Sequence, residues 1–143
     1  MRVLGVDYGL KRIGLALSDE TGTIAQGLSY IDGGGVAAVS REIARICVER
    51  QAGKIVVGVP LRLDGRPSEQ TERTLAFIAE LKRTTTIPVA QWDERLTSVQ
   101  AERALLEGNV RRSDRKQKID KLAAQIMLQS YLDATNQPPI EEA

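Results

Sequence analysis

The stretch V-L-G-V-D-Y-G-L-K-R-I-G-L-A-L-S, residues 3–18, decides the fold. Two apolar runs, residues 3–6 and 13–17, flank a polar, glycine-bearing turn, which is the pattern of a β-hairpin with a longer loop. Asp7 follows the first run directly, at the end of a strand expected to be buried. An ionised carboxylate in that position is costly unless a cation pairs with it. We therefore read Asp7 as a metal ligand, with the rest of the chain supplying its partners. Gly9 and Gly14 let backbone or ligand approach closely on either side.

Working outward, residues 24–31 read as a third strand, and D-G-G-G at 32–35 leads into a helix. Val36, Val39, Ile43, Ile46 and Cys47 recur at helical spacing and mark its buried face, and Gly53 is expected to end the region. The run K-I-V-V-G-V-P at 54–60 is apolar enough for a strand covered on both faces. After a loop at 61–67 carrying Arg62, Asp64 and Arg66, a helix starts at Ser68 and Glu69, with Leu75, Ile78 and Leu81 as its core side. Residues 89–92 form another strand, running straight into Asp93-Glu94-Arg95. Thr97 and Gln100 make a capping-box pattern for a helix to about residue 106. The last helix spans about 114–134 with Ile119, Leu122, Ala123, Ile126 and Met127 as its apolar stripe, and residues 137–143 read as a flexible C-terminal tail.

Three strands in meander order followed by strand–helix–strand crossovers predict an α/β domain over residues 1–136. Its mixed five-stranded sheet carries a three-strand antiparallel meander and two parallel strands, with helices covering it. Ligands of such sheets lie beyond the carboxyl ends of the parallel strands.

Composition narrows the chemistry. The chain has 143 residues, 42% of them hydrophobic, and a net charge of +1, from 20 basic and 19 acidic side chains. No histidine is present, which removes serine–histidine triads and histidine-ligated zinc. The single Cys47 excludes an intramolecular disulfide and a cysteine-cluster metal site. No run is long enough for a signal-peptide core or a membrane span, so no membrane association and a cytoplasmic location are expected. Carboxylates, amines, hydroxyls or a metal must carry any catalysis.

Asp7 and Glu94 both fall at carboxyl ends of predicted strands, and Asp120 lies near the start of the last helix. Three converging carboxylates form a hard-oxygen site suited to Mg2+ or Mn2+, with two ions about 4 Å apart expected. Asp93 competes with Glu94 for the role, as ligand or as turn cap, since strand alternation keeps both from pointing inward. Residues 111–121 hold six basic and two acidic side chains, a local balance of +4 (6 − 2) beside Asp120. Arg111, Arg112, Arg115, Lys116 and Lys118 are thus candidates for holding a phosphate backbone. Only 3% of residues are aromatic, so backbone and shape recognition are expected over base reading.

The chain resembles the YqgF family, also called RuvX, Holliday-junction resolvases and pre-16S rRNA nucleases. The resemblance runs from Arg2 to about Leu132, on the motifs G-V-D-Y-G-L-K-R-I-G-L-A-L-S-D (5–19), V-G-V-P-L-R-L-D-G (57–65), D-E-R-L-T-S (93–98) and K-I-D-K-L-A-A (118–124). It implies an RNase H-like fold and a metal-dependent nuclease in which Asp7, Glu94 and Asp120 match the acidic positions. Lys11, Arg12 and Arg95 match basic positions where phosphate contact is expected. Lys121 and Arg62 depart from the pattern, standing where a small residue and an amide are common. The implied role is trimming the 5′ end of pre-16S rRNA in ribosome biogenesis. Holliday-junction cleavage in recombination, or a non-catalytic nucleic-acid-binding platform, are the alternatives, acting as monomer or homodimer.

Overall fold

The structure, a computed structural model, describes residues 1–97 and 115–136, with side chains in the second segment from residue 122 onward. Strands β1 (Arg2–Tyr8), β2 (Arg12–Ser18) and β3 (Ala25–Asp32) are followed by helix α1 (Val36–Arg50) and strand β4 (Ala52–Val59). Helix α2 (Glu69–Thr84), strand β5 (Val89–Asp93), a 3-10 turn (Glu94–Leu96) and helix α3 (Arg115–Thr135) complete the described elements. The sheet order is β3-β2-β1-β4-β5. β1 pairs antiparallel with β2 and β2 with β3, whereas β4 runs parallel to both β1 and β5. That is the RNase H-like arrangement expected from sequence, with the Asp7 strand at its centre.

Alternation along the strands divides two cores between the faces of the sheet. Leu4, Val6, Tyr8, Ile13, Leu15, Ile55, Val57 and Val59 pack on one side with Val39, Ile43 and Cys47 of α1 and Phe77, Ile78 and Leu81 of α2. Tyr8 and Phe77 stack there with ring centroids 4.3 Å apart. On the other side Val3, Ala16, Ala25 and Val56 meet Ala124, Met127, Leu128, Tyr131 and Leu132 of α3. A Cβ built on Gly5 would lie 2.9 Å from the Leu128 Cβ, so α3 rests closer to β1 than any side chain there would permit.

Local chemistry fixes the ends of the elements. The Asp19 carboxylate accepts the N–H groups of Thr23 and Ile24 at 2.8 and 2.9 Å and the Thr21 hydroxyl, shaping the turn from β2 to β3. These bonds, Ile24 first, hold its carboxyl below the usual carboxylate range. Ser68 caps α2 in a reciprocal capping box with Thr71. Helix α3 is tied to the start of β3 by side-chain-to-backbone bonds. The Ala25 N–H donates to Gln129 Oε1 at 2.8 Å, and Gln129 Nε2 donates to the Thr23 carbonyl at 2.9 Å.

Several expectations are corrected. Gln51, in the left-handed region at φ 60°, closes α1, and Gly53 lies inside β4. Leu75 is 37% exposed; the buried side of α2 is Thr71, Thr74, Phe77, Ile78 and Leu81, a face that two threonines hide from an apolar pattern. On α3 the buried residues are Ala124, Met127, Leu128, Tyr131 and Leu132, with Leu122, Ala123 and Ile126 only half-buried. Gln125 and Gln129 bond to β3 and its approach alongside that face, and Leu122, Ala123 and Ile126 lie at its margin. The helix expected from Thr97 to about residue 106, the side chain of Ile119 and the tail at 137–143 lie outside the described residues. No described helix is long and apolar enough to cross a membrane.

Candidate active site

Asp7 stands one residue before the end of β1, on the face covered by α3, since Val3 and Gly5 point the same way by alternation. Its cross-strand partner in β2 is Gly14, which in turn pairs with Tyr30 of β3. On the other flank Val6 pairs with Val57, so the next register position sets Asp7 beside Gly58, whose partner in β5 is Trp92. The row across the sheet therefore reads Tyr30, Gly14, Asp7, Gly58, Trp92. Both immediate neighbours of the carboxylate lack a side chain.

Glu94 fills the space on the Gly58 side. A Cβ on Gly58 would come 2.5 Å from Glu94 Oε1 and 2.9 Å from its Cγ. The Glu94 carboxyl is hydrogen-bonded to Asp7, and burial, the Asp7 charge and that bond push its pKa well up. Two carboxyl groups this close share a proton when nothing else neutralises them. A cation is the other way to relieve them, and the all-oxygen donor set suits a hard divalent ion.

Asp93 has a different task. Its carboxylate accepts the Arg95 N–H at 3.0 Å, capping the 3-10 turn, and pairs with the Arg95 guanidinium at 2.6 Å. That pairing lowers the Asp93 pKa. Of the two neighbouring acids, Glu94 is therefore the one brought to Asp7. The turn makes this possible: leaving β-geometry after Asp93 frees Glu94 from strand alternation.

Asp120 lies in the second turn of α3, one turn before Ala124 and two before Met127, in the helical register of the buried face. Its side chain lies outside the described residues. So do Arg111 and Arg112 altogether and the side chains of Arg115, Lys116 and Lys118, whose backbone opens α3. Among the described residues no group of three metal-ligating side chains occurs. Lys11 is exposed on the β1–β2 loop, and Arg12 places its guanidinium 5.2 Å from the centre of the Tyr30 ring. Arg95 is engaged by Asp93 and lies close enough to Asp64 to feel its charge.

Gly58 and Tyr30 were not singled out by sequence reading. A glycine inside the otherwise continuous apolar run at 54–60 was the available signal for Gly58, since such a glycine marks close approach by another group. Tyr30 gave none, because an aromatic residue in a strand reads as packing.

Residues 1–134 match the family described as RuvX, Holliday junction resolvase. The chain belongs to the RuvX family. Among its curated relatives, a protein of Thermoanaerobacter pseudethanolicus is 44% identical over 94% of this chain and 97% of its own length. One of Caldanaerobacter subterraneus subsp. tengcongensis is 47% identical over the same shares. Both carry the name "Putative pre-16S rRNA nuclease". RuvX relatives are thus named as nucleases, hydrolases of phosphodiester bonds, and this RuvX chain is an enzyme of that class. Solved structures share the fold at low identity. RuvC of T. thermophilus, in complex with a Holliday junction substrate, superposes with a TM-score of 0.56 at 15% identity, covering 94% of this chain and 95% of its own. The fowlpox virus resolvase, in complex with Holliday junction DNA, gives 0.57 at 13% identity, covering 96% and 100%.

Proposed function

We propose that this chain is a divalent-metal-dependent nuclease that processes the 5′ end of pre-16S rRNA in the cytoplasm. Its catalytic and metal-binding residues in this reading are Asp7, Glu94 and Asp120, within one RNase H-like domain spanning residues 1–136. The observation that carries the reading is the Asp7–Glu94 carboxyl pair, held side by side at the carboxyl edge of the sheet, with Asp7 flanked by Gly14 and Gly58 and Glu94 filling the space over Gly58. Clustered acids destabilise one another without a cation, so their convergence favours a metal role over a packing role. Mg2+ or Mn2+, probed as one ion or two, would be held by these carboxylates and would stabilise the charge that develops on a phosphodiester during hydrolysis.

The chain's own residues supply the rest. Gly58 leaves the room in which the Glu94 carboxyl sits. Asp93 and Arg95 lock the turn that aims Glu94 at Asp7. Lys11, Arg12, Arg95 and the basic segment containing Arg111, Arg112, Arg115, Lys116 and Lys118 neutralise phosphates on either side of the cut.

Cleavage of end-labelled precursor rRNA and of a four-way DNA junction, compared with manganese, magnesium and chelator, tests the reading. Metal-dependent cutting of the rRNA, lost in Asp7→Asn with folding intact, is the expected result. Cutting retained by Asp7→Asn would remove the assigned site. The family description favours Holliday-junction resolution as the second reading. Preferential cutting of the junction, with a dimer in solution, would move the conclusion there. Tight binding without any cutting would leave a nucleic-acid platform.

A further inference from the structure

The connection between β4 and α2 is a small hairpin. Leu61 and Pro67 bridge as antiparallel partners, the Arg62 N–H donates to the Arg66 carbonyl at 3.0 Å, and the Gly65 N–H donates to the Arg62 carbonyl at 2.8 Å. Gly65 takes φ +87°, a left-handed conformation that a glycine adopts without strain. The Asp64 carboxylate accepts the Arg66 N–H at 2.9 Å and pairs with its guanidinium at 3.0 Å. Two backbone bonds and the Asp64 side chain thus close the tip.

At that tip Leu63 is 91% exposed. Two further exposed leucines lie on neighbouring loops at the same edge: Leu10 after β1, 60% exposed, and Leu96 after β5, 62% exposed. β1, β4 and β5 are adjacent and parallel, so all three leucines border the end of the sheet that carries Asp7 and Glu94. Each has a cation beside it in sequence: Lys11 after Leu10, Arg62 before Leu63, Arg95 before Leu96. The hairpin also reaches the site directly, since a Cβ on Gly65 would lie 3.3 Å from Arg95 Nη1. A closed backbone, a solvent-held apolar tip and flanking cations do not suit a purely apolar partner. They suit a polyanion with an apolar interior, which is a stack of bases between phosphates.

We propose that the 61–67 hairpin is a wedge that opens structured nucleic acid. Leu63 enters the base stack where a duplex ends or branches, while Arg62 takes the adjacent phosphate and Arg66 stays bound to Asp64, holding the tip in shape. The freed strand then passes Arg95 to Asp7 and Glu94. This rests on the nuclease reading above and names its substrate class: a junction between paired and unpaired strands rather than a uniform duplex or a free single strand. Apolar side chains inserted between base steps unstack them in this way in proteins that bend nucleic acid.

The test places 2-aminopurine at the last base pair of a stem that carries a single-stranded 5′ extension, in RNA and in DNA, with calcium replacing magnesium to separate binding from cutting. The wild-type chain is expected to raise the fluorescence of the bound probe several-fold. Leu63→Ala should abolish the rise and slow cleavage under limiting substrate by roughly tenfold, while Leu63→Met retains both. Because the Leu63 side chain is exposed, the melting temperature of Leu63→Ala should match the wild type. The RNA and DNA arms report which polymer the wedge opens. A rise that persists in Leu63→Ala, or cutting by the wild type with no rise at all, overturns the wedge and leaves the nuclease reading standing. A wild-type chain that neither binds nor cuts either probe overturns the nuclease reading and the wedge together.

Discussion

Glu94 carries the largest consequence at the scale of a single residue. Burial and the adjacent Asp7 carboxylate raise its pKa in the folded, metal-free protein above the ordinary value of 4.5. Between 4.5 and about 9 the folded state binds more protons than the unfolded one, so stability falls as pH rises. Thermal melts in chelator should therefore show a decreasing melting temperature from about pH 5 to about pH 8. Glu94→Gln should flatten that slope, and saturating manganese should reverse it, because the metal competes with the proton for the same oxygens. A flat profile in chelator, identical in Glu94→Gln, would contradict the proton-sharing pair. Gly58 gives a complementary test. In Gly58→Ala the atoms nearest the new methyl group all belong to the Glu94 side chain, which can swing away, so folding should survive with a loss below about 1 kcal/mol while the carboxyl is displaced from Asp7. Cleavage should fall by about a hundredfold or more, since small misplacements of a catalytic group have effects of that size. The choice between Asp93 and Glu94 was the one site question that strand alternation left open. It could not be settled from sequence because a 3-10 turn, not the strand, aims Glu94, and nothing in D-E-R-L announces where the strand stops.

At the scale of elements, each described strand and helix was legible because its signal is local: alternation, helical spacing or a capping serine. The rotation of helices was less so. The buried side of α2 runs through Thr71 and Thr74, so apolar pattern alone misplaces Leu75, and on α3 it reaches Ala124, Leu128 and Tyr131, leaving Leu122 and Ala123 half-buried at the margin. The seat of α3 on the sheet is set by Gly5. Its replacement by alanine drives a Cβ to 2.9 Å from the Leu128 Cβ, where neither atom has a free rotation to escape. Overpacking of this kind costs about 1–3 kcal/mol. Gly5→Ala should therefore lower the denaturation midpoint and also depress cleavage, since the helix that shifts is the one carrying Asp120. A Gly5→Ala protein with an unchanged midpoint would mean that α3 is not held as close to β1 as described.

At the scale of the whole molecule, the two faces of the sheet divide the labour. The face under α1 and α2 is a continuous apolar core, whereas the face under α3 is apolar at one end and acidic at the other. Cys47 reports on the first. It is 1% exposed, and burial pushes its thiol up to about 11. Its reaction with a thiol reagent should be negligible in the native state and should appear only with global unfolding, at a midpoint matching that seen by circular dichroism. Labelling well below that midpoint would show that α1 opens separately from the sheet.

The order of the strands has a consequence for synthesis. β1, the central strand, is made before the strands it pairs with, and its antiparallel partners β2 and β3 follow within residues 12–32, so the meander can pair while still short. Its parallel neighbour β4 ends only at Val59, and the helix that covers Val3, Ala16 and Val56 begins at residue 115. Until that helix is made, then, the nascent chain carries the strands it has paired with the face that α3 covers still bare. A stalled chain ending before α3 offers that face to chaperones and to its own kind, and holds the Asp7 strand in place without the helix that bears Asp120.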